Sequence, residues 1–142
     1  MRLSKEFDVT ATRERASEVL GEDATLTSLF PDTRTDIVAR KGKRRTTKSV
    51  YKLLGQEGEA TFHFDAQDDG SVAFAKVCDG RVWKELTGRV TLAERGAKLR
   101  VRIEMEGKTK AFVPEFTIKT PLQKQLDDMA AALKKRMERR KA

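Results

Sequence analysis

Few side chains in this chain could do chemistry, and their spacing limits what kind. His63, Cys78, Tyr51 and Trp83 are each the single residue of their type in 142 residues. His63 alternates with Phe62 and Phe64 and shares parity with Thr61 and Asp65, which puts it on the charged face of a strand. A general base or a metal ligand there would need convergent partners, and no local motif supplies them. Cys78 stands beside Asp79-Gly80 without a cationic motif to activate it, so it reads as a structural or rim thiol, not a nucleophile. The sequence therefore names no catalytic residue, no metal site and no cofactor.

Two further residues could orient a ligand without reacting with it. Tyr51 shares parity with Thr47 and Ser49, opposite Lys48 and Lys52. It combines an apolar ring with a hydroxyl donor, which suits a carbonyl or hydroxyl ligand, though a rim tyrosine in water fits the same pattern. Lys84 shares parity with Val82 and Leu86. A buried ammonium is costly unless paired, so it either meets an acidic ligand group or twists out to solvent. Trp83 has parity with Arg81, Glu85 and Arg89. It needs a bulge to turn inward, or else it covers the outer face of its sheet.

These residues must be positioned by a framework whose elements are legible. Leu3, Phe7 and Val9 alternate with Ser4, Glu6 and Asp8 as in a strand. Thr10 or Thr12 caps a helix with Ala16, Val19 and Leu20 on one face, ending near Gly21. A second helical turn carries Leu26, Leu29 and Phe30 and stops at Pro31. From Thr33 onward Gly42, Gly58, Gly70, Gly80 and Gly96 separate runs of roughly ten residues, the spacing of consecutive antiparallel strands. Asp69-Gly70 and Asp79-Gly80 are hairpin signals. Leu99, Val101, Ile103 and Met105 alternate cleanly with charged residues, and Gly88 inside its long run predicts a bend or bulge.

The last element is a helix. Thr120-Pro121-Leu122-Gln123 reads as its start, with Thr120 as cap, Pro121 in the first position and Gln123 closing a capping box. Leu122, Leu126, Met129, Leu133 and Met137 then share one face. Without helical crossovers the six later strands form a meander. The N-terminal strand pairs at an edge, and the terminal helix covers the concave face. The fold class is α+β, a curved antiparallel sheet of about seven strands around a long C-terminal helix, in one domain over residues 1–142.

Composition agrees with a one-domain globular chain: 37% of residues are charged and 38% hydrophobic. No apolar run approaches the roughly 20 residues that span a bilayer. The start, Met1 to Glu6, turns acidic before a signal-peptide core could form, and one cysteine permits no internal disulfide, so a cytoplasmic location is the default. The formal net charge of +8 concentrates at Arg40-Lys41-Gly42-Lys43-Arg44-Arg45 and in the tail from Lys134 to Lys141. Such clusters can attract nucleic acid or an anionic membrane surface. The favoured reading is a solvated hairpin tip and a basic helix end, because no aromatic residues interleave with them for base stacking.

The element order resembles START-like proteins of the SRPBCC superfamily, the helix-grip fold shared with the birch pollen allergen and polyketide cyclases. The resemblance covers essentially the whole chain. It rests on Phe7-Asp8-Val9 leading into the first helix, Leu29-Phe30-Pro31 closing the helical insertion, the strand from Trp83 to Gly88, and the region from Pro114 to Met137. It implies a pocket between sheet and helix for a lipid-, polyketide- or quinone-like molecule. The inward parities name its lining: Tyr51, Phe62, Phe64, Phe74, Leu86, Val101, Ile103 and Met105 from the sheet, and Met129 and Leu133 from the helix. The resemblance also leaves open a cyclase or dehydratase using that pocket, with Tyr51, Lys84 and Glu85 as its available ionisable groups. A third reading is an interaction module acting through the basic surface.

Overall fold

The computed structural model describes residues 1–31, 33–53, 56–78 and 82–139. Strand β1 (Arg2–Val9) leads into helices α1 (Arg13–Gly21) and α2 (Asp23–Thr27). Six strands follow, β2 (Arg34–Lys41), β3 (Arg44–Leu53), β4 (Gln56–Ala66), β5 (Val72–Lys76), β6 (Trp83–Arg95) and β7 (Lys98–Thr109), and then helix α3 (Glu115–Glu138). All seven strands form one antiparallel sheet in the order β1-β7-β6-β5-β4-β3-β2, a meander with β1 added at the β7 edge. This is the predicted α+β helix-grip architecture.

The local chemistry behind the elements is direct. Thr12 caps α1, its hydroxyl accepting from the Arg15 amide at 3.0 Å. Gly42, Gly70 and Gly96 take positive φ in the β2–β3, β4–β5 and β6–β7 turns, the conformation that admits glycine at no steric cost. Asp69 holds the Gly70 turn by accepting from the Ser71 amide at 2.9 Å. On α3, Leu122, Leu126, Met129, Leu133 and Met137 are all buried, so the predicted stripe is the face that packs. That face lies against β1 and β7 and against α1 and α2.

Three expectations are corrected. Gly58 is not a turn residue but lies within β4, opposite Tyr51. A Cβ there would come within 2.6 Å of the Tyr51 ring, so this glycine makes room for an aromatic side chain. Gly88 pairs in regular register with Phe74 and Met105, and the β6 bulge falls instead between Trp83 and Glu85. At Gly88 a Cβ would collide with the Phe74 ring and the Glu104 carbonyl. Finally, α3 begins at Glu115, not at Thr120, and carries Pro121 inside it. Pro114 is its N-cap residue, and the Thr117 amide and hydroxyl both donate to the Pro114 carbonyl, at 3.1 and 2.7 Å. The stretch from Glu115 to Pro121 is largely exposed, and burial starts at Leu122. The Thr120–Gln123 pattern thus marks where the helix starts to pack. The Asp79-Gly80 turn signal lies outside the described residues.

Candidate functional site beneath the C-terminal helix

The strand registers decide which side chains share the concave face. Thr47 pairs with Phe62, Ser49 with Ala60 and Tyr51 with Gly58. Phe64 pairs with Phe74, and Phe74 with Gly88. Leu86 faces Gly107, Gly88 faces Met105, Val90 faces Ile103 and Leu92 faces Val101. Directly paired residues point to the same side, so every predicted sheet lining residue lies on one face. The rings of Phe62, Phe64 and Phe74 run across it with centroids 6.2 and 5.8 Å apart. From α3, Met129 and Leu133 are fully buried opposite.

Among the described residues, the part of this layer beneath α1, α2 and α3 is filled rather than hollow. The void bounded by Leu20, Thr25, Leu26, Leu29, Phe64, Val72, Val90, Met129 and Leu133 measures about 10 Å³. That is at the lower limit for one water, against several hundred Å³ for a typical ligand pocket. Its single polar lining residue, Thr25, accepts through its hydroxyl from Arg136 Nε at 3.0 Å.

The two ends of the layer differ. At one end α1, α2 and the last turns of α3 close it. There Arg45, buried on β3, donates to the Gly21 and Leu20 carbonyls at 3.0 and 2.9 Å, satisfying acceptors that the end of α1 leaves open. At the other end Phe62, Cys78, Val82 and Ile118 pack on the core but stay half-buried. Tyr51 is half-buried at that end too, with its ring over Gly58. Lys76, the ladder partner of Phe62, is half-buried beside them.

The remaining chemistry-bearing residues lie elsewhere. The bulge after Trp83 turns both Trp83 and Leu86 inward and leaves Lys84 and Glu85 exposed, so neither ionisable group reaches the layer. The Trp83 ring occupies the space over Gly107, where a Cβ would meet it at 2.6 Å. His63 is on the outer face, its Nδ1 2.8 Å from Thr46 Oγ1. Among the described residues no group of His, Cys, Asp and Glu converges as a metal site.

Sequence reading missed three features. Thr35 is buried on the concave face beside Ser49, whose inward parity was legible, and the two hydroxyls bond to each other at 2.7 Å. The helix-capping role of Arg45 was hidden because its partners lie more than twenty residues away, although its parity with Thr47 pointed inward. Phe112 and Phe116 are 98% and 79% exposed; their Phe-x-x-x-Phe spacing around Pro114 was the available signal.

The basic hairpin is largely paired, and among the described tail residues Lys134 and Arg136 are bonded. Arg40 bonds to Asp23, Lys43 to Asp68, and Arg44 to Asp65 at 2.8 and 3.0 Å. In the tail, Lys134 donates to the Asp8 carbonyl at 2.7 Å, and Glu138 accepts from the Thr10 amide at 2.8 Å. The carboxyls of Asp23 and Asp65 sit below the usual carboxylate range chiefly through hydrogen bonds from Arg40 and Arg44. Asp8 is lowered by Arg100, Asp69 by Ser71 and Glu138 by the Thr10 amide.

No protein-family profile and no curated protein matches this chain. Solved structures do. A START superfamily protein from Mycobacterium smegmatis superposes with a TM-score of 0.75 at 18% identity, covering 96% of this chain and 97% of that one. The Zhui aromatase/cyclase from Streptomyces sp. R1128 gives 0.74 at 13% identity over 96% of this chain and 90% of that one. A major latex-like protein of Panax ginseng gives 0.72 at 14% identity, over 94% and 95% respectively. At these identities the likeness speaks for architecture alone: the chain has the helix-grip fold of START-like (SRPBCC) proteins.

Proposed function

We propose that this protein binds and carries a small apolar molecule between the concave sheet and α3, admitted at the end where Phe62, Cys78, Val82 and Ile118 are half-buried. The observation that carries this reading is the one-sided closure of a continuous apolar layer. An apolar guest gains by leaving water along the same surface that the core already presents. Because the void at the closed end is only about 10 Å³, a guest reaching that far displaces side chains. Phe62, Met105 and Met129 are suited to that, since methionine adapts its shape and Phe62 is only half covered. Tyr51 and Lys76 supply a hydroxyl and an ammonium at the same end, where a polar head of the ligand would stay near water. The lining of the void contains no group that titrates near neutral pH, which supports binding over acid–base catalysis in that part of the layer.

The test is native mass spectrometry of protein drawn gently from its source cells, followed by thermal melts with a fatty acid, a sterol and a fused-ring aromatic. The expected result is a co-purifying apolar mass and a concentration-dependent rise in melting temperature with at least one probe class. Protein that carries nothing and melts unchanged with all three would overturn the reading.

A further inference from the structure

We propose that the end of the molecule formed by residues 108–119 docks on an anionic lipid surface. The first observation is the pair of aromatic side chains held out in water. Phe112 is 98% and Phe116 79% exposed, an arrangement that costs solubility unless the surface has an apolar partner. They are displayed by a bonded turn: the Val113 amide donates to the Lys110 carbonyl at 2.9 Å, and the Thr109 hydroxyl to the Val113 carbonyl at 2.8 Å. Val77, 47% exposed, projects from the same end of the sheet.

The second observation is charge. Lys108, Lys110 and Lys119 flank the two rings and are exposed, and none forms an ion pair with another described residue. Among the described residues the acids nearby are Glu115, which pairs with the Met1 ammonium at 3.5 Å, and Glu85, across the ladder from Lys108. Among the described residues the apolar knob is therefore flanked by net positive charge. Aromatic side chains at the headgroup level with lysines reaching lipid phosphates match this arrangement. A convex knob suits a bilayer better than a nucleic acid strand, which needs a basic groove with stacking rings inside it. No helix among the described residues is long and apolar enough to cross a membrane, so the attachment is peripheral. It holds whether or not the interior accepts a ligand.

The experiment is flotation of the full chain with phosphatidylcholine vesicles, with or without about 30 mol% phosphatidylserine, at low and raised salt. Binding is expected with the anionic vesicles, weakening as salt screens the lysines. Lys110→Gln and Lys119→Gln should each lower affinity by roughly fivefold, and the double variant Phe112→Ala/Phe116→Ala by at least about tenfold. Because both rings are exposed, that double variant should keep its circular dichroism and melting temperature. Absence of binding to anionic vesicles at low salt would sink the proposal, as would binding that the double variant leaves intact. A concentration-dependent dimer that the double variant dissolves would instead give this face to a second copy and refute the lipid assignment.

Discussion

The two ends of this molecule carry similar charge chemistry and use it in opposite ways. At the end holding α1, α2 and the β2–β3 turn, guanidinium and ammonium groups reach across elements. Arg45 caps α1, Arg40 meets Asp23, Arg136 meets Thr25, and Lys134 meets the Asp8 carbonyl. At the end holding the start of α3, Lys108, Lys110 and Lys119 flank exposed rings without ion-pair partners among the described residues. The basic β2–β3 hairpin, so prominent in the sequence, is thus largely neutralised in the fold. Positive charge is informative about partners only after its internal partners have been found.

Packing offers the sharpest way to break this contrast. Leu133→Ala, at the closed end, should cost about 2 to 5 kcal/mol in denaturant unfolding, since it enlarges a void lined by buried, mostly apolar residues. Ile118→Ala, on the half-buried overhang, should cost under about 1 kcal/mol. Equal costs would mean that the open end is as tightly built as the closed one.

Next in size is the guanidinium cap. Arg45→Ala strips two acceptor carbonyls of a charged donor in a buried place and should destabilise by about 2 to 3 kcal/mol. Vesicle binding at the opposite end should not change. Arg45→Lys should recover only part of the loss, because an ammonium cannot reproduce the two-pronged donor geometry. Full recovery would reduce Arg45 to a point charge.

The smallest effect is expected from pH. The lowered carboxyls of Asp8, Asp23, Asp65, Asp69 and Glu138 all belong to the closed end. A carboxyl depressed on folding stabilises above its unfolded pKa, and that stabilisation disappears as pH falls through its folded value. Protection of α1 and α2 amides from hydrogen exchange should therefore decline below about pH 4. The start of α3 should not follow that titration. Loss of protection at both ends in parallel would show that these pairs act on the whole fold.

Much of the architecture was legible because it is written in local patterns. The alternation in β7, the turns at Gly42, Gly70 and Gly96, and the Leu122–Met137 stripe each need only nearby residues. The shared face of Phe62, Phe64, Phe74, Leu86, Val101, Ile103 and Met105 followed from the same parity. What escaped depends on distant partners. Gly58 and Gly88 are glycines because of rings on neighbouring strands, Tyr51 and Phe74, and a spacing rule cannot see across a sheet. Parity alone left Trp83 undecided between faces, since it cannot fix where a bulge falls. The volume between sheet and helix was beyond reach for a related reason. It depends on how side chains interdigitate, and a list of apolar positions does not contain that.

Pro121 gives the start of α3 a separate thermodynamic life. Lacking an N–H, it cannot donate to the Thr117 carbonyl, so the ladder of helical bonds is interrupted between the exposed overhang and the buried stripe. Helix formation propagates one bond per residue, so a missing bond weakens the coupling across it. Melting of residues 115–120 therefore need not propagate into the turns that hold Leu122, Leu126 and Met129 in the core. The chain can unwind and rewind its outermost helical turns, with Phe116 and Ile118 on them, at the cost of those turns alone.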